Sequence, residues 1–498
     1  MYARDGRNGL SISSNVLLGV GTDALLTAPT LSTWSPNFPS VDLPTEEAAQ
    51  SVFPQNPNLL QYAITVAQRI ESAQIRSAQG VQRLSEPDCT PKSIATSATT
   101  TTFRRTSETV LFLLQLANAT GDARYLKTAA KAADHLIATW QDLVDRQVEG
   151  LLSGRGLNLS FCGGLAGAAY AMSETRKATG NEMFREAARA VTDYIVQAAK
   201  PVGSGFAWSD VPGIAGDGSM VLYLLYAARE FGSALYGITA ERAGDHILEL
   251  ATHEHHGGFS WRGFPAFPGL PKDAYLPAFE DSTAGIAYVF ARLYSETKKA
   301  RFLFAAKQGA LHLQSVAPPD SHAALALHPL SDLPESQHSR FCHGPAGIAR
   351  AFLELYKITR EPMYRVRAEQ MTQAILQWIS PEDLTLDYRN SVCQCCGTVA
   401  VIDFVIEMWA STGRLNYFAS AQRAVRQLVS CGVDLNGKGN QELAVLTPKK
   451  PWDVCAESGD YAGAAGVGSA LLHMHLAEQG RYGAIITLDN LCANKRPA

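Results

Sequence analysis

Three cysteines stand directly before two apolar helical stretches. FCHGPAGIARAFLELY, residues 341–356, places Cys342 and His343 against Gly344, and SVCQCCG, residues 391–397, brings Cys395 and Cys396 to the same point before Gly397. Three thiolates at one rim form a soft, roughly tetrahedral pocket whose fourth position stays open, which separates a catalytic zinc site from a closed structural one. An open position admits a substrate thiol. Free cysteine also behaves as a small buried apolar residue, and that reading accounts for any one of the three. It does not account for three at equivalent points of consecutive helix openings, so Cys342, Cys395 and Cys396 are expected to hold Zn2+. Cys393 lies two residues outside the slot and is the alternative ligand. Cys162 precedes another glycine pair in a distant stretch and is expected in the core.

His343 could bind the metal, act as a general acid or cap its helix. Its place beside Cys342 favours a supporting or acid role. His253, His255 and His256 resemble a metal motif on paper, but two are adjacent and Gly257 and Gly258 follow, so they are expected to face solvent.

These side chains need a scaffold. The chain has 498 residues, 46% hydrophobic and 18% charged, ample for a large buried core and unlike a disordered composition. A formal charge of -4, from 43 basic and 47 acidic residues, offers no footprint for nucleic acid or an anionic membrane. No run of about 18 apolar residues occurs, and the N-terminus has no basic segment feeding an apolar core with a cleavage site. Nine cysteines, an odd number in a long chain, argue against a secreted disulfide framework. The expectation is a cytoplasmic protein.

Repetition organises the rest. Small-residue openings recur before apolar runs: GGLAGAAYAM from Gly163, PGIAGDGSMVLYLL from Pro212, STAGIAYVFARLY from Ser282, HGPAGIARAFLELY from His343, CGTVAVIDFVIEMW from Cys396 and AGAAGVGSALLHMHL from Ala462. After most of them comes a polar punctuation and a second, amphipathic helix, as in ATGNEMFREAARAVTDYIV, ITREPMYRVRAEQMTQAIL and STGRLNYFASAQRAVRQLV. The unit is a helical hairpin. An earlier copy from Ser107 brings the first helices to seven. The last of them, ending near Gln479, has no full partner after it, whereas NLLQYAITVAQRIESAQIRS, residues 58–77, is an unpaired amphipathic helix. Pairing the two closes the array into an all-α toroid of seven hairpins over residues 57–498, with an irregular arm at 1–56. An open solenoid is the alternative. In the ring, the glycine-rich openings and the inserts at 253–280 and 316–340 surround one mouth.

At these residues the sequence resembles the LanC-like family of lanthionine synthetase cyclases and their eukaryotic relatives, over about residues 57–490. The family binds zinc through one Cys-containing opening and a following Cys-His-Gly opening. FCHGPAG looks like the first and QCCG like the second, with Cys396 in the histidine's place. Members also carry an aspartate and a histidine across the mouth, thought to move protons. WSDVPGIAG places Asp210 near the former, and FEDSTAG has Asp281 or Ser282 where the family's His-Gly would fall, with Asp281, Glu280 and His343 as the candidate acids in place of that histidine. The resemblance implies addition of a zinc-bound cysteine thiolate to dehydroalanine or dehydrobutyrine in a dehydrated precursor peptide, with a separate dehydratase or kinase-like partner. Glutathione addition to dehydroamino acids, as in eukaryotic relatives, and a non-catalytic peptide-binding scaffold are the alternatives. Carbohydrate processing by paired mouth carboxylates would leave the three cysteines without a role.

Overall fold

Where helical stretches are joined by ATGD, ATGN, ETKK, ITRE or STGR, the chain reverses through one recurring turn. Thr120, Thr179, Thr297, Thr359 and Thr412 each donate their hydroxyl to the carbonyl four residues earlier at 2.6–2.8 Å. The same oxygen accepts from the amide two residues on at 3.1–3.4 Å. The residue between is left-handed: Gly121, Gly180, Lys298, Arg360 and Gly413 have φ of 57–72°, and Gly232 and Gly480 end the two remaining first helices at 65° and 69°. This is the common αL helix stop, which glycine adopts without penalty and Lys298 and Arg360 accept at about 1 kcal/mol.

The computed structural model describes residues 59–72, 74–77, 80–83, 94–148, 158–161, 164–255, 257–261, 277–316, 341, 344–378, 397–430, 445–447, 450–455 and 464–481. The arm expected at 1–56 lies outside them. The described helices are α1 (Leu59–Ser72), α2 (Ile94–Thr120), α3 (Ala123–Val148), α4 (Leu165–Thr179), α5 (Glu182–Gln197), α6 (Asp217–Phe231) and α7 (Ala234–Glu249). They continue as α8 (Thr283–Thr297), α9 (Ala300–Val316), α10 (Pro345–Thr359), α11 (Pro362–Trp378), α12 (Thr398–Thr412), α13 (Leu415–Ser430) and α14 (Ala464–Glu478).

Even-numbered helices from α4 onward are buried nearly all round. In α8 every residue from Thr283 to Leu293 is buried, and in α10 every residue from Pro345 to Leu355. Outer helices instead bury one stripe, as α5 does with Phe184, Ala188, Val191, Thr192 and Ile195, spaced for a single helical face. Buried apolar surface at about 25 cal/mol per Å² therefore acts between two layers.

The hairpins are α2/α3, α4/α5, α6/α7, α8/α9, α10/α11 and α12/α13, and α14 pairs with α1. Inner helices touch in the order α2, α4, α6, α8, α10, α12, α14, and α14 returns to α2. The result is the closed α/α toroid. The segment expected to complete it is helical over Leu59–Ser72 only. Its last residues instead form β1 (Gln74–Ser77), antiparallel to β2 (Gly80–Arg83). The first inner helix begins at Ile94, ahead of the copy read from Ser107, because the Ser/Thr-rich ATSATTTTF stretch carries no apolar period.

Short antiparallel hairpins link outer helices back to inner openings: β3 (Lys200–Val202) with β4 (Gly205–Ala207) after α5, and β5 (Thr252–His253) with β6 (Phe259–Ser260) after α7. β7 (Val445–Thr447) pairs with β8 (Lys450–Cys455) between α13 and α14. No helix among the described residues is long and apolar enough to cross a membrane.

Candidate functional site

The small residues before each inner helix let successive openings press together at one end of the ring. The Phe161 amide, before α4, donates to Ser219 Oγ of α6 at 3.2 Å. Before α6, the Ala215 amide donates to the Glu280 carbonyl at 2.7 Å, and a Cβ on Gly213 would lie 2.5 Å from Asp281 Cα. Only a glycine permits that approach. The Phe279 ring, before α8, packs edge-on against Phe341 with centroids 5.5 Å apart, and Phe341 faces Phe404 of α12 at 6.5 Å. Four consecutive openings, from α4 to α10, are thereby connected, and the last of them touches the body of α12.

Asp281 sits in this chain of contacts. It is 6% exposed, and among the described residues its Oδ1 has no hydrogen-bond partner. Burial pushes its carboxyl up to about 6, opposed only by a hydrogen bond from its own backbone. The N-cap of α8 is Ser282, whose side chain accepts from the Thr283 amide at 2.6 Å. Helix capping thus falls to the serine and leaves the aspartate without a structural duty. A buried, uncharged carboxyl near pH 6 can donate a proton to a developing anion.

Asp210 is exposed, in the loop that precedes α6 and abuts Glu280 and Asp281. Its charge helps raise the pKa of Asp217, the first residue of α6, although burial is the larger cause; together they bring Asp217 to about 6. Asp217 was not foreseen as a site residue. An acid in an otherwise apolar first turn, between Gly216 and Gly218, was the only signal available.

Below the openings lies a charged level. The tenth residue of successive inner helices is Glu174, Tyr226, Arg292, Glu354, Glu407 and His473. Tyr226 donates its hydroxyl to Glu174 at 2.8 Å, and Arg292 pairs with Glu354 at 2.8 Å. Glu407 pairs with Arg350 at 3.2 Å and with Lys357. Burial raises the Glu407 carboxyl, but Arg350 and Lys357 outweigh it and hold it at about 2. His473 meets Asp403 through Nδ1 at 2.8 Å and Gln115 through Nε2 at 2.9 Å, tying α12, α14 and α2 across the seam where the ring closes.

Asp210 and Asp281 therefore belong to openings in direct contact. Cys342, His343, Cys395 and Cys396 lie outside the described residues, as do Cys393, Cys162 and His256; no cluster able to hold a metal occurs among the described ones. The residues flanking the cysteines are described: Gly344 and Gly397 are the N-caps of α10 and α12, extended at φ of -110° and -105°. The cysteines precede these two caps in the sequence, and three thiolates are a donor type whose chemistry suits zinc. His253 and His255 are exposed, in keeping with the solvent-facing expectation.

Comparison with solved structures returns helical proteins of low sequence identity. Nisin cyclase covers 84% of this chain and 93% of its own at 14% identity, with a TM-score of 0.49. The Lin0763 protein from Listeria innocua covers 66% of this chain and 87% of its own at 16% identity and 0.36. The GH76A α-1,6-mannanase from Salegentibacter sp. HEL1_6 covers 64% and 87% at 13% identity and 0.38. No curated protein matches. The family model described as lanthionine synthetase C-like protein matches residues 107–482, from within α2 to beyond the end of α14. The chain belongs to the lanthionine synthetase C-like family.

Proposed function

We propose that this protein adds a cysteine thiol of a dehydrated peptide to dehydroalanine or dehydrobutyrine, forming a (methyl)lanthionine ring. The observation that carries the reading is Asp281: a buried carboxyl at the mouth, pushed up to about 6, with an oxygen lacking a partner among the described residues. Family membership supplies the reaction class. Cys342, Cys395 and Cys396 would hold Zn2+, which when bound lowers the pKa of a coordinated thiol so that thiolate is present near neutral pH.

Asp210, exposed, takes the proton from the incoming thiol. The sulfur lone pair forms the C–S bond at the β-carbon while the C=C π electrons move onto the neighbouring carbonyl as an enolate. Asp281, protonated, donates to the α-carbon, and the thiol S–H has been added across the double bond. Regeneration needs only a proton passed from Asp210 to Asp281 through solvent. Positioned acids and bases of this kind contribute about 100-fold to 10,000-fold each. Burial raises the Asp281 carboxyl to about 6, so that a fraction of it carries a proton near neutral pH.

The test is to incubate the zinc-loaded protein with a dehydrated, cysteine-containing peptide and alkylate what thiol remains. Cyclisation leaves the peptide mass unchanged and removes the alkylation adduct. Unchanged thiol alkylation under conditions where zinc is bound would reject the reading.

A further inference from the structure

The buried acid at the start of α6 has more bonds than capping requires. Asp217 is 2% exposed. Its Oδ1 accepts from the Ser209 amide at 3.0 Å, the Ser209 hydroxyl at 2.8 Å and the Trp208 amide at 3.2 Å, with Oδ2 also 3.4 Å from the Trp208 amide. The Asp217 amide in turn donates to the Val211 carbonyl at 2.8 Å. Ser209 Oγ, having given its proton to Asp217, accepts from the Val211 amide at 3.2 Å. Asp210 thus lies in a turn whose two neighbours, Ser209 and Val211, are both tied to Asp217.

The loop is pinned at its other points. Trp208 Nε1 donates to the Ile195 carbonyl of α5 at 2.8 Å. Gly216 approaches so closely that a Cβ would lie 2.2 Å from the Val211 carbonyl oxygen. Further on, Gly213 presses on the Asp281 backbone and Ala215 bonds to Glu280. One carboxylate therefore organises the segment that both displays Asp210 and forms the wall behind Asp281. A helix start needs one acceptor from serine, asparagine or aspartate, commonly at the N-cap. Here the N-cap is Gly216, without a side-chain bond, and the acceptor is turned back onto the preceding loop.

We infer that Asp217 is a positioning residue: by binding Trp208 and Ser209 it fixes the 208–215 loop, and through that loop the placement of Asp210 and Asp281. The consequence for turnover rests on the cyclase reading; the consequence for the loop does not.

Two measurements on the full-length zinc-loaded chain separate these. Amide hydrogen exchange is followed in segments 205–216 and 277–283 for the wild type, Asp217→Ala, Asp217→Asn and Ser209→Ala. Asparagine keeps an Oδ1 acceptor, so Asp217→Asn should exchange within about threefold of wild type in both segments. Asp217→Ala should exchange at least about tenfold faster in both, with other segments unchanged. Ser209→Ala, a milder change, should show the same pattern at smaller amplitude and carries the test if Asp217→Ala fails to fold. Unchanged exchange in 205–216, or acceleration confined to it without 277–283, overturns the inference, as does an asparagine variant no better than alanine.

With a dehydrated cysteine peptide, Asp217→Ala should lower kcat about 10-fold to 100-fold at constant KM, with recovery in Asp217→Asn. A loss borne by KM alone would overturn the positioning role. If the wild type does not cyclise the peptide, the cyclase reading falls and the exchange pattern alone decides the role of Asp217.

Discussion

Replacing Asp281 by asparagine separates a working acid from a packing residue, because the two make opposite demands on pH. An ordinary carboxyl value of 3.8 against about 6 in the fold corresponds to about 3 kcal/mol, at roughly 1.36 kcal/mol per tenfold change in proton affinity. The sign follows from which state ionises first. Below about pH 4 the group is protonated in both states, and the stability it contributes is fully present. As pH rises toward 6 the unfolded chain loses its proton first, so stability is lost, and above about 6 the loss is complete. Asparagine cannot ionise and lacks this slope. An amide placed at the same site adds a penalty, but one independent of pH. The unfolding free energy of Asp281→Asn minus that of wild type should therefore rise by about 3 kcal/mol between about pH 3 and pH 7.5. Urea titrations followed by circular dichroism measure it, and groups common to both proteins, Asp217 included, cancel in the difference. Turnover of the same variant at neutral pH should fall about 100-fold to 10,000-fold with zinc content unchanged. A difference in stability that is flat with pH would mean that Asp281 titrates in the fold as it does in the unfolded chain, and the donor role would go with it.

Three further outcomes are expected. Cys342→Ala, Cys395→Ala and Cys396→Ala should each reduce bound zinc from about one per chain, read by elemental analysis, and full occupancy in all three would remove the site. Gly213→Ala puts a Cβ 2.5 Å from Asp281 Cα, so the melting temperature should drop by the equivalent of about 1–3 kcal/mol, and an unchanged melt would contradict the close seating. Arg292 and Glu354 are a buried pair at 2.8 Å. Arg292→Met or Glu354→Leu alone should cost about 3–5 kcal/mol and the double variant less than either, so additive losses would show that the pair is not coupled.

The toroid was legible because its signals are local and repeated. Five of the six αα turns carry a Thr followed by Gly or a basic residue, and the inner helices from α4 onward follow small residues, so the hairpin could be counted without knowing a single contact. Ring closure was legible from one asymmetry, an amphipathic helix at each end with no partner in sequence, and α1 against α14 answers it. The charged level was not legible. Glu354 and Glu407 stand as isolated acids in apolar helices, and nothing in one helix states that Arg292 or Arg350 of a neighbour will face it. Asp217 was missed for a related reason: its partners Trp208 and Ser209 sit in a loop with no periodicity, so three converging donors leave no pattern in the chain. Among the mouth residues, Asp281 was reached through position alone; its burial and its orphan oxygen exist only in three dimensions.

The two polar levels of the ring also explain each other. In the lower one, carboxylates are met by cations: Arg292 and Lys357 hold Glu354 low, and Arg350 and Lys357 hold Glu407 at about 2, each against the opposing effect of burial. At the mouth, no cation among the described residues contributes to the shift of Asp281, and burial acts nearly unopposed. Carboxyl groups at similar depth are thereby held charged at one level and pushed toward the protonated form at the other. A lysine or arginine seated beside Asp281 would return its carboxyl to the ionised form and remove the proton the enolate requires. The glycine-rich opening serves the acid by letting the 208–215 backbone reach Asp281.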